Sequence, residues 1–109
     1  GAHFTNHYAP DVPWESSKRF LASFSARYKR PPTSTAAQGY DAAMVLFDAI
    51  KRAHEATRDE VRKALLQMKD FSGATGTMTF DKDRNANKPV VVIKITDRAF
   101  HYAGQLTAE

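Results

Sequence analysis

Residues 40–50 carry Tyr40, Ala42, Ala43, Met44, Val45, Leu46, Phe47, Ala49 and Ile50, so a helix through them is apolar nearly all the way round. A helix at a surface shows one apolar stripe, and a helix without a polar face has to be covered on more than one side. The chain has 109 residues, and a single domain of that length buries roughly 65% of the surface its unfolded form exposes. The helix is therefore expected to be central, with Phe47 buried. The other segments have to be arranged around it.

This helix is expected over residues 36–54, after the polar entry Thr33-Ser34-Thr35. Before it, Ser17, Phe20, Leu21, Phe24 and Tyr28 recur at three and four residues, which predicts a helix over 14–30. Pro13 suits its start and Pro31-Pro32 ends it. Thr57-Arg58-Asp59-Glu60 is a capping box, with Thr at the cap and Glu three residues on. The stripe Val61, Ala64, Leu65, Met68 after it predicts a third, amphipathic helix. His3-Phe4-Thr5-Asn6-His7-Tyr8 alternates with period two and reads as a strand. Beyond Asp70 the texture changes. A glycine-containing loop is expected over 71–76, a strand over 77–80 and a polar turn over 81–88, in which Asn85 takes the left-handed conformation. Residues 89–96, β-branched almost throughout, form the strongest strand, and 99–103 its partner. The order is one strand, three helices and three strands, an α/β chain without internal repeats.

With no Cys, the chain has no disulfide framework, thiolate metal site or cysteine nucleophile. No apolar run approaches the roughly 18 residues of a membrane span. Lys+Arg number 16 against 12 Asp+Glu, and the densest basic group is Lys18, Arg19, Arg27, Lys29 and Arg30. No aromatic and basic residues interleave on a strand and no recognition-helix signature is present, so these read as a solvated helix face and nucleic acid is not an expected partner. His3 and His7 have the four-residue spacing of a helical zinc pair, but on a period-two segment and without a following Glu. Asp81, Asp83 and Asn85 match the first ligand positions of a calcium loop. The match fails at Ala86, where Gly is needed, and at Val92, where a bidentate Glu is needed. No Ser-His-Asp set or paired-carboxylate motif occurs, and Gly73-Ala74-Thr75-Gly76 lacks the Lys-Ser/Thr of a phosphate loop. Neither catalysis, a metal nor a cofactor is expected.

Residues 24–43, FSARYKRPPTSTAAQGYDAA, resemble a stretch near the C-terminus of the type I periplasmic solute-binding proteins of ABC importers, the branched-chain amino-acid-binding (Leu-Ile-Val-binding) family. In that family a helix ending in a Phe and Tyr segment is followed by Pro, a loop, and Tyr-Asp-Ala opening an apolar helix. Phe71-Ser72-Gly73-Ala74-Thr75-Gly76, Thr79-Phe80-Asp81 and the strand from Val90 to Ile95 follow the family's order, and Phe4-Thr5-Asn6-His7-Tyr8-Ala9-Pro10-Asp11 resembles its preceding strand and crossing between lobes. The turn Asp83-Arg84-Asn85-Ala86-Asn87 departs from the family's usual Gly. The family's chains are much longer, and this one begins Gly1-Ala2-His3 without Met, so it is expected to be a C-terminal segment.

The resemblance implies the C-terminal part of a two-lobed, Rossmann-like α/β fold. Residues 1–9 would be a strand of the C-terminal lobe and the hinge crossing, 10–88 the helical part of the N-terminal lobe, and 89–109 the return to the C-terminal lobe. The implied function is an extracytoplasmic solute-binding component, not an enzyme, made with a signal peptide. It would be periplasmic, or lipid-anchored in a Gram-positive source. A ligand-sensing domain of a regulator or receptor is the alternative. The expected partners are a small-molecule ligand, the N-terminal part of the same protein and a membrane permease. Two segments are expected at the cleft: Asn6, His7 and Tyr8 at the end of the first strand, and Ala37, Gln38 and Tyr40 at the start of the apolar helix. The helix start offers N–H groups to a carboxylate. Ala37 is small where a bulkier residue would fill the cleft, which points to an amino acid or a flatter aromatic acid.

Overall fold

The computed structural model describes residues 1–107. Its elements are β1 (His3–Asn6), α1 (Glu15–Tyr28), α2 (Ser34–Arg52), α3 (Arg58–Leu66), β2 (Phe71–Gly73), β3 (Gly76–Phe80), β4 (Ala86–Asn87), β5 (Val90–Thr96) and β6 (Ala99–Leu106). They form two antiparallel three-stranded sheets, ordered β1-β5-β6 and β2-β3-β4. The β-branched β5 is the centre of the first, where Phe4 stands opposite Ile93 and Thr5 opposite Val92. β6 pairs along its other edge with a bulge at Ala103, since Val92 faces Gly104 but Ile93 faces Tyr102.

Five strands follow the helices, two more than expected. The glycine loop is a tight hairpin in which Phe71 pairs with Met78 and Gly73 with Gly76. The polar turn likewise holds the short β4, with Ala86 opposite Phe80. Residues 71–76 alternate too briefly for a period to register, and what pins them is a tertiary contact described below. In the turn, Asp81 Oδ1 accepts the N–H groups of Asp83 (2.9 Å) and Asn85 (2.8 Å). Asn85 Nδ2 donates to Asp81 Oδ2 at 3.1 Å. These bonds from the Asn85 backbone and side chain hold the Asp81 carboxyl below its ordinary range. Arg84, at φ 71°, takes the left-handed conformation in place of Asn85, because Asn85 is already held across the turn by Asp81.

The helix ends follow local chemistry. Thr33 Oγ1 accepts the Ala36 N–H at 3.1 Å, and Thr57 Oγ1 accepts the Glu60 N–H at 3.4 Å. The return arm of the capping box is absent, for Glu60 pairs with Lys63 at 2.7 Å. α1 closes at Lys29 in the left-handed conformation, just before the proline pair.

Two cores are packed along α2. The first joins Tyr8, Val12, Phe20, Ala37, Ala74, Val91 and Ile93. The second joins Val45, Ala49, Ala64, Met68 and Met78. Ala37, Asp41, Val45 and Ala49 thus make one buried stripe at four-residue spacing. Phe47 is not buried, being 56% exposed, and Tyr40, Met44, Leu46 and Ile50 are exposed as well. An all-round apolar helix states how much cover it needs, but among the described residues only one side of α2 is covered.

Between the cores lies Asp41, 3% exposed. Its carboxylate accepts the Ala74 N–H (2.6 Å), the Thr75 N–H (2.8 Å) and the Thr75 hydroxyl (2.6 Å). Lys88 Nζ in turn donates to Thr75 Oγ1 at 2.7 Å. A Cβ at Gly73 would stand 2.6 Å from Asp41 Oδ2, so only glycine lets the hairpin come this close. Asp41→Ala leaves three buried donors without an acceptor and should lower unfolding free energy by about 3 kcal/mol or more. Asp41→Asn, keeping one acceptor, should cost less. Chemical denaturation of the three proteins checks this; an alanine variant as stable as the parent would contradict it.

Candidate functional site

β1 ends where α2 begins. Asn6 Oδ1 accepts the Ser34 hydroxyl at 2.9 Å and the His7 N–H at 2.8 Å, which fastens the strand end to the first residue of the helix. The first turn of α2 has N–H groups without intrahelical partners. Thr33 takes that of Ala36, leaving those of Ser34 and Thr35 beside Asn6 and the exposed His7. Such a cluster of donors at a positive dipole end suits an anionic group such as a carboxylate.

The other residues expected here are spread around this point. Tyr8 is 2% exposed in the first core, its ring edge-on to Phe20 at 6.0 Å. Ala37 is fully buried in the same core. Gln38 is half-buried and lines a cavity between α2 and the β3–β4 hairpin. Tyr40 lies on another face, 43% exposed, with its ring 4.7 Å from Phe20. Asn6, His7 and the α2 start are therefore brought together, Tyr8 and Ala37 form packed ground behind them, and Gln38 and Tyr40 point to different sides of the helix.

Sequence reasoning passed over Ser34, named only as part of a polar entry, and the Asp41–Thr75–Lys88 chain. The available signal for Asp41 is an acidic residue in the apolar stretch of α2 with no basic residue three or four positions away, unlike Asp48, which pairs with Arg52. The hydroxyls of Tyr8 and Ser17 are both enclosed; neither makes a hydrogen bond of good geometry, but the two lie close enough to interact with each other. Burial raises the Tyr8 phenol above its ordinary value of 10.0; the nearby Ser17 hydroxyl partly offsets this, and the Asp11 carboxylate adds to it.

Asp11 itself bridges elements. Both its oxygens accept the Tyr102 N–H at 3.0 Å, and His101 Nδ1 lies 3.7 Å away. His3 and His7 are exposed, and among the described residues no three His, Cys, Asp or Glu side chains gather as metal ligands. Lys18, Arg19, Arg27, Lys29 and Arg30 are all exposed, with Arg27 over the Tyr28 ring and Arg30 over the Phe24 ring. No helix among the described residues is long and apolar enough to cross a membrane.

A family profile described as "Periplasmic binding protein" matches residues 1–99. Among solved structures, a leucine binding protein from Thermotoga maritima is 31% identical over 98% of this chain and 31% of its own, with a TM-score of 0.85. An ABC transporter substrate-binding protein from Desulfitobacterium hafniense, in complex with Leu, is 28% identical over 94% of this chain and 31% of its own, TM-score 0.85. An ABC transporter solute binding protein from R. palustris, in complex with benzoate, is 25% identical over 96% of this chain and 29% of its own, TM-score 0.83. The chain thus spans about a third of the length of the structures it matches.

The enclosed Tyr8 hydroxyl can be checked by pH. Between pH 10.0 and its raised pKa the folded state keeps a proton that the unfolded state has lost, so stability falls as pH rises through that window. Tyr8→Phe should remove this loss while changing neutral-pH stability by no more than about 1 kcal/mol, since the Tyr8 hydroxyl makes at most a weak bond to Ser17. Lys88, whose ammonium burial pushes down, acts in the opposite direction but equally in both proteins. Melting temperatures recorded from about pH 9 to about pH 11 should diverge; parallel curves would contradict the assignment.

Proposed function

We propose that this chain, which belongs to the periplasmic binding protein family, contributes one wall of a ligand cleft in the extracytoplasmic solute-binding component of an ABC importer. The family consists of solute-binding proteins, which capture small molecules without covalent chemistry. The observation that carries the reading is the Asn6–Ser34 contact, which sets a strand end and a helix N-terminus side by side. Sites at strand ends in α/β folds are built this way, with a few polar groups to orient the ligand and apolar walls to set its size.

The ligand proposed is a small carboxylate, either an amino acid or an aromatic acid; leucine and benzoate, bound by two of the similar proteins, both qualify. Asn6, His7 and the α2 start would hold the carboxylate. The buried Tyr8 and Ala37 would support them from behind, and Gln38 and Tyr40, on other sides of α2, would stand outside the cleft. Residues 1–9 and 89–107 would belong to the C-terminal lobe and 10–88 to the N-terminal lobe, in keeping with the pairing of β1 and β6 on β5; residues 108–109, expected in the same return, lie outside the described residues. The exposed Met44, Phe47 and Ile50 face is assigned to the N-terminal part of the same protein, and a membrane permease is the partner that receives the ligand.

The 109-residue chain alone should bind neither leucine nor benzoate at micromolar affinity, and should self-associate through α2. Phe47→Asp should reduce that association with little change in melting temperature. Joined to its N-terminal part, the protein should bind one of the two acids, and Asn6→Ala should weaken that binding about tenfold, the worth of one charge-assisted hydrogen bond. Calorimetry and size-exclusion chromatography test this. A monomeric 109-residue chain that binds leucine at micromolar affinity would overturn it.

A further inference from the structure

The cavity between α2 and the β3–β4 hairpin is walled by this chain's own residues and lies away from the exposed Phe47 face. It measures about 200 Å3 and is open to solvent on one side. Ala42, Val45, Met78, Phe80 and Ala86 make its walls apolar. Four polar residues also line it: Asp41 and Thr75, bonded to each other, and Lys88 and Gln38. Lys88 Nζ spends one hydrogen on Thr75 Oγ1, which leaves two of an ammonium's three donors for the cavity. The half-buried Gln38 brings an amide that both donates and accepts.

Charge decides what such a cavity takes. The Lys88 charge is balanced by the buried Asp41 carboxylate through the Thr75 hydroxyl, so the lining is neutral as a whole. An added carboxylate would sit near Asp41 with no further cation to meet it. A neutral guest leaves the balance intact. We propose that this cavity is a second binding site, separate from the cleft, for a small neutral carboxamide with a branched apolar body. The guest's carbonyl accepts from Lys88, its NH2 donates to Gln38 Oε1, and its body lies among Val45, Met78 and Phe80. Burial already pushes the Lys88 ammonium below its usual value, with Asp41 restoring part of it, as expected for a donor held out of water.

Isobutyramide titrated into the protein joined to its N-terminal part, read by NMR on the methyl signals of Val45 and Met78, tests the site. Saturable shifts with a dissociation constant on the order of 1 mM are expected for a guest of this size. Sodium isobutyrate, of the same shape but charged, should bind at least about tenfold more weakly. Ala42→Leu, at the exposed rim, and Gln38→Leu should each weaken isobutyramide binding about fivefold or more while the melting temperature stays near that of the parent. Equal binding of amide and carboxylate, shifts that do not saturate, or unchanged affinity in both variants would overturn the proposal. Titrations with leucine and benzoate report on the cleft and are unaffected by either result.

Discussion

One buried carboxylate holds the middle of this molecule together. Asp41 sits on α2 between two apolar cores, and an ionised side chain in such a place costs several kcal/mol unless it is fully bonded. Three donors from Ala74 and Thr75 meet it, and Lys88 supplies the opposite charge at one remove. The β2–β3 hairpin is therefore placed by electrostatics as much as by packing. Its glycines follow from that placement: Gly73 lies against the carboxylate itself, and Gly76, at φ 113°, lets the chain turn where a Cβ would stand 2.8 Å from Pro89. Once the hairpin is docked, Met78 closes the second core and Ala74 joins the first.

The same helix positions the candidate site. Ala37 fixes the first turn of α2 against Tyr8 and Val91, and Asn6 accepts from Ser34 across 28 residues of sequence. The donors at the helix start thus stand on rigid ground, because the strand before them pairs along the centre of its sheet. The carboxylate-binding reading depends on that rigidity: a frayed helix end presents no fixed set of N–H groups.

Much of this was legible in residue order. Pro13, the pair Pro31-Pro32 and the Thr57 cap mark helix ends by local chemistry, and Val90 to Ile95 can hardly be anything but a central strand. These are signals that need only neighbours in sequence. Phe47 was misjudged because an apolar pattern states the cover a helix requires and not which chain provides it. The β2–β3 hairpin has a loop's local sequence because its docking partner, Asp41, lies more than thirty residues earlier. In the same way, Arg84 takes the left-handed turn position expected of Asn85 because Asp81 engages Asn85 first. The convergence of Asn6 with the α2 start was expected only through a family resemblance; nothing in the spacing of residues 6 and 34 implies it.

The chain's first strand shares a sheet with its last two, and Phe20, Ala37 and Ala74 from the region between pack onto that sheet with Tyr8, Val91 and Ile93, while the connections at 7–14 and 88–89 join the two regions. Each is tied by polar bonds as well as by packing. Asp11 in the first accepts the Tyr102 N–H of β6, and Lys88 in the second donates to Thr75 beside Asp41. Pro89 then lies against Gly76. Apolar contact alone would allow sliding at these connections, since burial is nondirectional. Hydrogen bonds have directional geometry, and they add a fixed register to the apolar core that the two regions share.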